Sequence, residues 1–456
     1  MNSPSIVWLR DDLRVSDNPA LTAAVNRGEP VVLVYVLDDE SAEIRPLGAA
    51  SRWWLHHSLT ALSAEIGSLG GELTLRQGPA RDVITELVRQ TGAGAVYWNR
   101  RYGASRDIDV ELKASLAATG LEVHSFTANL LHDPWAHLTQ SGSPFKVFTP
   151  FWKSFLATHS PREPLPAPAS ITPANDVASD ALAAWQLTPT RDWADRFPEW
   201  WTPGEAGAHA RLDDFLTNGI TQYDRRDEPG VDSTSRLSPH LRFGEISPYQ
   251  VWHETWLRSP AGNDKNRDRF LSEVGWREFS YHQLFNNTDI STRNLRPEFD
   301  AFPWKPLSSA RLRAWKKGLT GVSLVDAGMR ELWISGTMHN RVRMVCASFL
   351  IKNLGIDWRI GEQWFWDTLV DADEASNPAS WQWVAGSGYD AAPYFRVFNP
   401  ELQAEKFDGQ RVYRNRWIPE LGSSAYPEPI INLAQSRTDA LNAYTAMRES
   451  GEPPRP

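Results

Sequence analysis

The sequence contains a single cysteine, Cys346, so no disulfide bond can form within the chain. One cysteine also cannot supply the thiolates of a four-cysteine iron–sulfur cluster or of a cysteine-rich zinc site. Chains without structural disulfides are typical of reducing compartments, and we expect a cytoplasmic protein. Cys346 itself lies in the apolar run MVCASFL, where an inert core position is expected.

Long apolar runs are missing as well. None approaches the roughly 18–20 residues that a membrane-spanning helix needs, so no membrane association is expected. The N-terminal residues MNSPSIVWLRDDLR lack a basic segment followed by an apolar stretch, and we expect no secretory signal. No GxGxxG follows the first predicted strand, which argues against a standard dinucleotide-binding fingerprint. A length of 456 residues is more than one ordinary core requires, so two or three domains are expected.

Excess positive charge is also absent, since the net charge is −9. This balance argues against a protein that binds nucleic acid over its whole surface. Residues 291–360 nevertheless hold twelve lysines and arginines against five acidic residues. A basic face on an acidic body suits local, salt-sensitive binding of a phosphate backbone. A solvated helix surface is the alternative interpretation of the same charges.

The first 130 residues alternate between strand and helix patterns. Strands are predicted at Ser5–Leu9, Val31–Leu37, Leu73–Gln77, Ala95–Asn99 and 121–125, with helices at 18–27, 52–66, 80–90 and 104–118. The alternation predicts an α/β domain with a doubly wound parallel sheet. Such a sheet can bind a ligand at its topological switch point, although the sequence does not identify the ligand.

The pattern then changes twice. Residues 161–203 are rich in proline and have no periodicity, which is typical of a linker that wraps around a domain. From Glu205 onward apolar residues recur at spacings of three and four, which predicts an all-α domain. We therefore expect an α/β domain at 1–130, an interdomain linker at 131–204, an all-helical domain at 205–447 and a short tail at 448–456.

Tryptophan is unusually frequent, with 22 copies, and five of them crowd into residues 356–400. Indoles are rarely fully buried, and their N–H groups need partners. The five are Trp358, Trp364, Trp366, Trp381 and Trp383, and they stand beside Asp371, Asp373 and Asn377. An aromatic core would explain any one of these indoles. For the whole set, a binding site for a planar redox cofactor is the favoured interpretation.

A short segment rich in hydroxyl groups precedes a helical stretch, and it consists of Thr234, Ser235, Arg236, Leu237 and Ser238. Hydroxyls and backbone N–H groups can donate hydrogen bonds to a phosphate, and the arginine adds positive charge. Serine or threonine before a helix is more often an ordinary N-cap, so both interpretations stay open.

Further candidates lie on predicted helices. Glu273 stands three residues before Trp276 and four before Arg277, so one helix face would carry all three. This group is either an ion pair beside a core indole or a carboxylate and ring that hold a flat heterocycle. Asn340 and Met344 share a face and offer an amide and a soft apolar surface to one ligand.

The pair Asp371 and Asp373 could bind a metal ion, but no third ligand follows from the sequence. Pairing with arginine or with sugar hydroxyls explains the two carboxylates equally well.

The motifs together resemble the photolyase/cryptochrome family along nearly the whole chain. They are VWLRDDLRVSDNPAL, TSRLSPHLRFGEISP, EVGWREF, MHNRVRMVCASFL, DWRIGEQWFW and SNPASWQW…DAAPYFRVFNP, and they occur in this order. The resemblance implies an antenna-type α/β domain and FAD bound within the helical domain. It also implies that reduced FAD passes an electron, under blue light, to a cyclobutane pyrimidine dimer flipped out of UV-damaged DNA.

The resemblance also assigns roles by motif match. The FAD contacts it implies are Tyr223, Thr234, Ser235, Arg236, Leu237, Ser238, Arg343, Asp371, Asp373 and Asn377. The lesion contacts are Glu273, Trp276, Arg277, Asn340, Met344 and Trp383, and the DNA contacts are Arg226, Arg341 and Gln403. The catalytic residues would be Glu273, Asn340 and Asn377, with Trp381, Trp358 and Trp304 as the electron relay that reduces the flavin.

Three positions indicate the subfamily. Photolyases for the (6-4) lesion carry histidines where this chain has Asn340 and Met344, and plant cryptochromes tend to carry Asp at the place of Asn377. The chain therefore looks most like a class III dimer photolyase, and a cryptochrome-like photosensor without repair activity is the alternative. Class III favours methenyltetrahydrofolate as a second, antenna chromophore, and a deazaflavin stays open. No long signalling tail, no obligate protein partner and a monomer are expected.

Three departures from the family pattern accompany the resemblance. Phe270 and Thr337 each stand where the family often has tryptophan, and one extra residue separates Trp304 from Trp315. The first two bear on how the cofactor packs, and the third bears on the outer end of the relay.

Overall fold

The computed structural model describes residues 3–174, 176–189, 192–260, 262–391 and 395–451. Its N-terminal part contains a five-stranded parallel sheet in the order β3-β2-β1-β4-β5. The strands are β1 Ser5–Leu9, β2 Val31–Leu37, β3 Leu73–Gln77, β4 Ala95–Asn99 and β5 Glu122–Phe126. The predicted doubly wound sheet is confirmed, with four strands at the predicted bounds and β5 shifted by one residue.

The helices fall into three groups along the chain. Those between the strands are α1 Pro19–Asn26, α2 Ala49–Ser68, α3 Ala80–Thr91 and α4 Arg106–Ala118. A single α-helix, α5 Phe148–Thr158, lies within the described part of the expected linker. The rest are α6 Glu205–Asp214, α7 Ser238–Phe243, α8 Pro248–Arg258, α9 Asp264–Asn286, α10 Ser309–Lys317, α11 Ser323–Ser335, α12 Asn340–Ser348, α13 Trp358–Thr368, α14 Ser376–Ala385, α15 Pro400–Phe407, α16 Val412–Trp417 and α17 Leu433–Gly451.

The sheet is covered on both faces. Alternate residues of a strand point to opposite faces, so Val7 and Leu9 pack with α1 and α2, whereas Ile6 and Trp8 pack with α3 and α4. This double burial explains why β1 and β4 are buried at every position and why β2 is an almost continuous apolar run.

The switch point of the sheet lies between β1 and β4, where side chains of the protein itself form a buried network. Arg10 Nη1 donates to Asp109 Oδ1 over 2.9 Å, and Asn99 Nδ2 donates to Asp12 Oδ2 over 2.6 Å. All four side chains are buried. The crevice in which a ligand was conceivable from the sequence is therefore partly filled by ion pairs and amide hydrogen bonds.

The expected linker has two parts. Its proline-rich part runs beside the sheet, where Val31 N–H donates to Thr172 O and Ala174 N–H donates to Val31 O. The earlier part forms α5, which the sequence did not predict, and Phe151 and Phe155 of this helix are fully buried in an apolar cluster shared with α9. The linker thus wraps around the sheet as expected and also contributes a helix to the second core.

From Glu205 onward the described residues contain helices and no strand, which confirms the all-α prediction. The largest apolar cluster is built mainly from α11, α12, α13 and α14. The last helix, α17, crosses the expected boundary at residue 447, and residues 452–456 of the expected tail lie outside the described residues. Among the described residues, no helix is long and apolar enough to cross a membrane.

Candidate functional site

Asp371 connects three segments of the helical domain. It follows α13, and its Oδ2 accepts hydrogen bonds from Ser238 Oγ over 2.7 Å and from Arg343 Nη2 over 2.9 Å. The residue is 8 % exposed, and its other oxygen, Oδ1, is buried without a hydrogen-bond partner among the described residues. A buried carboxylate oxygen rarely stays unpaired. Asp371 Oδ1 therefore indicates a position at which a bound ligand could donate a hydrogen bond.

Arg343 is held by two further acceptors. Its Nε donates to Met338 O over 2.6 Å, and its Nη2 also donates to Thr337 Oγ1 over 3.2 Å. Thr337 is the position at which the family often has tryptophan, and here its hydroxyl helps to orient the guanidinium that pairs with Asp371. The departure noted in the sequence therefore supplies an acceptor to Arg343.

Asn377 begins a chain of contacts that crosses to the N-terminal domain. Its Nδ2 donates to Glu362 Oε1 over 2.8 Å, and Glu362 is 2 % exposed. Arg45, in the loop after β2, donates to both carboxylate oxygens of Glu362, over 2.7 and 2.8 Å. A carboxylate can only accept hydrogen bonds, so the NH₂ group of the Asn377 amide faces Glu362. The carbonyl oxygen of Asn377 therefore points away from Glu362.

Asp373 has a local role. Its Oδ1 accepts hydrogen bonds from the N–H groups of Ala375 over 2.8 Å and Ser376 over 2.5 Å, so it caps the start of α14. Among the described residues, no group of three or more His, Cys, Asp or Glu side chains could hold a metal ion. Pairing with arginine and capping thus account for the two aspartates in the structure.

The segment before α7 has an unusual backbone. Arg236 adopts a left-handed conformation with φ of 51°, and its guanidinium lies 3.5 Å from Asp232. The neighbouring Ser233 is fully buried, and its hydroxyl has no hydrogen-bond partner among the described residues. A strained residue beside an unpaired buried hydroxyl fits a segment shaped around a ligand.

Tyr223 belongs to the same apolar cluster as Leu237 of this segment and packs in a group of three rings. Its ring centroid is 5.6 Å from that of Phe215 and 5.5 Å from that of Phe270. Burial raises the pKa of the Tyr223 phenol well above its usual range, so it stays neutral. Phe270, the second departure from the family pattern, fills its position by packing against both other rings.

A second group of predicted residues surrounds the turn formed by Arg226 and Asp227. Arg226 Nη2 donates to Glu273 Oε1 over 3.2 Å, and Arg341 Nη2 lies 2.9 Å from Asp227 Oδ1. The turn therefore brings α9 and α12 together. Burial raises the pKa of the Glu273 carboxyl, and the charge of Arg226 opposes this rise.

Arg277 does not join this group, although its spacing from Glu273 predicted that it would. Its Nη1 donates to Asn129 O over 2.6 Å and its Nη2 to Leu241 O over 3.3 Å. The guanidinium thus anchors the chain that follows β5. We correct its expected place beside Glu273.

Three other predicted lesion residues lie on α12 and α14. Asn340 is exposed at the first turn of α12, and Met344 and Trp383 are half-buried at the edge of the largest apolar cluster. Two polar atoms of predicted DNA contacts, Arg341 Nε and Gln403 Oε1, are buried without partners among the described residues. These residues offer an amide, a thioether and an indole, and the two unpaired atoms can still form hydrogen bonds with a ligand.

The start of α12 is fixed by residues that sequence patterns did not single out. Glu331 Oε2 accepts hydrogen bonds from Tyr413 Oη over 2.5 Å and from His339 N–H over 3.1 Å. His339 in turn caps α12, because its Nδ1 accepts from Arg341 N–H. The fold thus shows four residues that support predicted site residues and that no local spacing marks. They are Glu331, Tyr413, Glu362 and Arg45.

The three predicted relay tryptophans belong to one apolar region. Trp381 is 2 % exposed, Trp358 is fully buried and donates from Nε1 to Asn294 Oδ1, and Trp304 is half-buried at the edge of the cluster. Trp304 also packs against Phe302, with 4.5 Å between ring centroids. Trp381 and Trp358 are thus buried and Trp304 is partly exposed, and their role as an electron relay stays a prediction.

Comparison with known proteins gives matches over nearly the whole chain. Residues 5–169 match the family described as DNA photolyase, and residues 270–425 match the FAD binding domain of DNA photolyase. A deoxyribodipyrimidine photo-lyase of Agrobacterium fabrum is 47 % identical over 98 % of this chain and 99 % of its own length. Cryptochrome-1 of Arabidopsis thaliana is 37 % identical over 97 % of this chain and 70 % of its own length.

A solved structure is similar to the same extent. The crystal structure of a bacterial class III photolyase from Agrobacterium tumefaciens has a TM-score of 0.94 and 47 % identity, and the match covers 98 % of both chains.

Proposed function

The chain belongs to the photolyase/cryptochrome family, and on that premise we propose that it is a class III deoxyribodipyrimidine photo-lyase that repairs cyclobutane pyrimidine dimers in DNA under blue light. The observation that carries the proposal is the 47 % identity over 98 % of the chain to a protein of that name. The fold supports the proposal, because α14, which carries Asn377 and Trp383, packs against both α9 and α12.

FAD fits the residues around Asp371. The unpaired Asp371 Oδ1 can accept a hydrogen bond from a ring N–H or a sugar hydroxyl, and the buried Ser233 hydroxyl can donate to an oxygen. The segment from Thr234 to Ser238 carries hydroxyls and Arg236 toward a diphosphate. The remaining contacts of the proposed set are Tyr223, Arg343, Asp373 and Asn377. When bound and reduced, FAD supplies the electron that splits the dimer and receives it back.

The protein residues position the substrate and control protons. Glu273 has a raised pKa, so its protonated form persists to higher pH and can donate a hydrogen bond to a pyrimidine carbonyl. Trp276 and Trp383 offer ring surfaces, and Asn340 and Met344 complete the pocket. Arg226, Arg341 and Gln403 contact the DNA backbone. Trp381, Trp358 and Trp304 carry electrons inward to the cofactor.

The finer features of the proposal follow the class III likeness. Methenyltetrahydrofolate is the favoured antenna chromophore, with a deazaflavin as the other candidate, and the protein acts on UV-damaged DNA as a cytoplasmic monomer. Heat extraction of the purified protein followed by chromatography and mass spectrometry identifies the chromophores, and light scattering gives the oligomeric state. A second copy of FAD in place of a folate would contradict the antenna assignment.

The deciding experiment uses an oligonucleotide with one cyclobutane thymine dimer. Reduced protein is incubated with it under blue light and in darkness, and repair is followed by chromatography, with a (6-4) photoproduct oligonucleotide as the control substrate. We expect repair of the dimer in the light only. A protein that holds FAD and photoreduces normally but repairs neither lesion would be a cryptochrome-like photosensor instead.

A further inference from the structure

One face of the linker helix α5 carries a stack of aromatic rings. Phe148, Trp152, Phe155 and the C-cap residue His159 follow at spacings of four, three and four, which places them on one side of a helix. Their successive ring centroids lie 6.3, 5.1 and 5.0 Å apart, and the ring planes differ by 12°, 6° and 10°. The helix thus presents a regular set of parallel rings to its neighbours.

The stack ends on a residue of the lesion pocket. The Phe148 ring lies 3.9 Å from the Trp276 ring, with 12° between their planes. The only other ring beside Trp276 within the described residues is Phe279, which meets it edge-on at 5.9 Å. One face of the Trp276 indole is therefore covered by a side chain of the linker.

A glycine of α9 permits this close approach. A Cβ on Gly275 would lie 2.6 Å from Trp152 Cε3 and 2.8 Å from two further atoms of that indole. Only a hydrogen atom fits there, so Gly275 lets α5 lie directly against α9 at the residue next to Trp276.

A carboxylate of the helical domain holds this same end of α5. Asp390 Oδ2 accepts a hydrogen bond from Phe148 N–H over 3.2 Å at the first residue of α5. A carboxylate at the N-terminus of a helix satisfies a free N–H and interacts favourably with the helix dipole. Asp390 belongs to the motif GYDAAPYF, to which the roles assigned above give no task.

We propose that Phe148 is a positioning residue of the lesion pocket. Its ring fixes the plane of the Trp276 indole so that the opposite face is ready for a flipped-out pyrimidine dimer, and Asp390 and Gly275 hold Phe148 in place. The inference rests on the proposed function, because the dimer is the ligand whose binding it explains. It makes the linker a wall of the binding site and adds a residue to which nothing above assigns a role.

The test compares the affinity of full-length protein for dimer-containing and undamaged oligonucleotides, measured in darkness. We expect Phe148→Ala to weaken binding of the dimer about tenfold, the scale of a lost aromatic contact, and to leave binding of undamaged DNA unchanged. Phe148→Tyr keeps the ring and should retain the wild-type affinity. Phe148→Leu keeps most of the side-chain volume and should fold even if Phe148→Ala does not. Its affinity for the dimer should lie between those of Phe148→Ala and Phe148→Tyr.

Kinetics distinguish positioning from general packing. In Phe148→Ala the KM for dimer DNA should rise while kcat at saturation and flavin content stay unchanged. Leu156→Ala is the matched control, because Leu156 lies on the same helix and is 51 % exposed. An equal loss of affinity for both oligonucleotides, or the same loss in Leu156→Ala, would mean that Phe148 only packs the fold and would overturn the inference.

The link to Asp390 has its own test. Asp390→Ala should weaken dimer binding, Asp390→Asn should largely retain it, and the double variant of Asp390→Ala with Phe148→Ala should bind no more weakly than Phe148→Ala alone. If the losses of dimer affinity in the two single variants multiply in the double variant, Asp390 does not act through Phe148. If the wild type itself shows no preference for the dimer, the proposed function fails and the inference with it. A wild-type preference that Phe148→Ala retains in full overturns the inference alone.

Discussion

Removal of Arg45 provides a quantitative test of the contact chain that ends at Asn377. Glu362 is 2 % exposed and receives two hydrogen bonds from Arg45, at 2.7 and 2.8 Å, and one from Asn377 Nδ2 at 2.8 Å. The Arg45 guanidinium also lies 4.0 Å from the centroid of the Trp366 ring. In Arg45→Ala the carboxylate stays buried with the Asn377 amide as its remaining side-chain partner.

The expected cost follows from the burial of the pair. Removal of one partner of a buried ion pair typically costs about 3–5 kcal/mol, because the other charge stays desolvated. The Arg45 side chain is 23 % exposed, so water already weakens the pair and the lower part of this range applies. Loss of the contact with Trp366 adds about 0.5–1 kcal/mol. We expect Arg45→Ala to lower the free energy of unfolding by about 3.5–4 kcal/mol in total.

The assay is urea denaturation of the flavin-loaded protein, followed by circular dichroism and by release of flavin fluorescence. The double variant Arg45→Ala with Glu362→Gln leaves no unpaired charge and should recover at least 1 kcal/mol of the loss. Arg45→Lys keeps the charge but not the bidentate hydrogen bonds, so its free energy of unfolding should lie between those of wild type and Arg45→Ala. A change below about 0.5 kcal/mol in Arg45→Ala, or strictly additive effects in the double variant, would refute the reasoning.

Four further outcomes are expected. Trp381→Phe should block photoreduction of oxidised FAD yet leave repair by chemically reduced enzyme intact, and unimpaired photoreduction would mean another electron route. Dimer affinity should be highest below the raised pKa of Glu273 and fall as pH increases through it, whereas Glu273→Gln should remove this dependence; an unchanged pH profile would contradict the proton-donor role. Arg341→Ala should reduce the slope of log affinity against log salt by about one, and an unaltered slope would place Arg341 away from phosphate. Thr337→Val should weaken FAD binding about fivefold, since it removes the hydroxyl that accepts from Arg343, and an unchanged affinity would make that bond irrelevant.

The fold was predictable wherever the information is local. Buried parallel strands are short apolar runs, and β2, VVLVYVL, shows this directly. The linker helix α5 was missed because FTPFWKSFLAT contains a proline and is rich in aromatic residues, which favour helices weakly. Pro150 lies in the first turn of α5, where its missing N–H has no helical partner to lose. Packing of Phe151 and Phe155 against α9, which local patterns do not report, stabilises the helix.

The candidate site, like the fold, was predictable only where the information is local. Family motifs named Ser238 and Asp371, but their hydrogen bond joins residues 133 positions apart, and Arg45 lies 317 positions from Glu362. Helical spacing reports only neighbours three or four residues away. It placed Arg277 beside Glu273, whereas the fold gives Glu273 the side chain of Arg226 and gives Arg277 the carbonyls of Asn129 and Leu241.

The two departures from the family pattern near the cofactor contacts show how the rest of the site adapts. Phe270 occupies its place as one of three mutually packed rings, so Tyr223 keeps an aromatic neighbour. Thr337 replaces a ring by a hydroxyl, and this hydroxyl accepts a hydrogen bond from Arg343 beside the ion pair with Asp371. Each departure therefore contacts a residue of the proposed FAD site, Tyr223 in one case and Arg343 in the other. We expect both to alter how tightly the flavin is held.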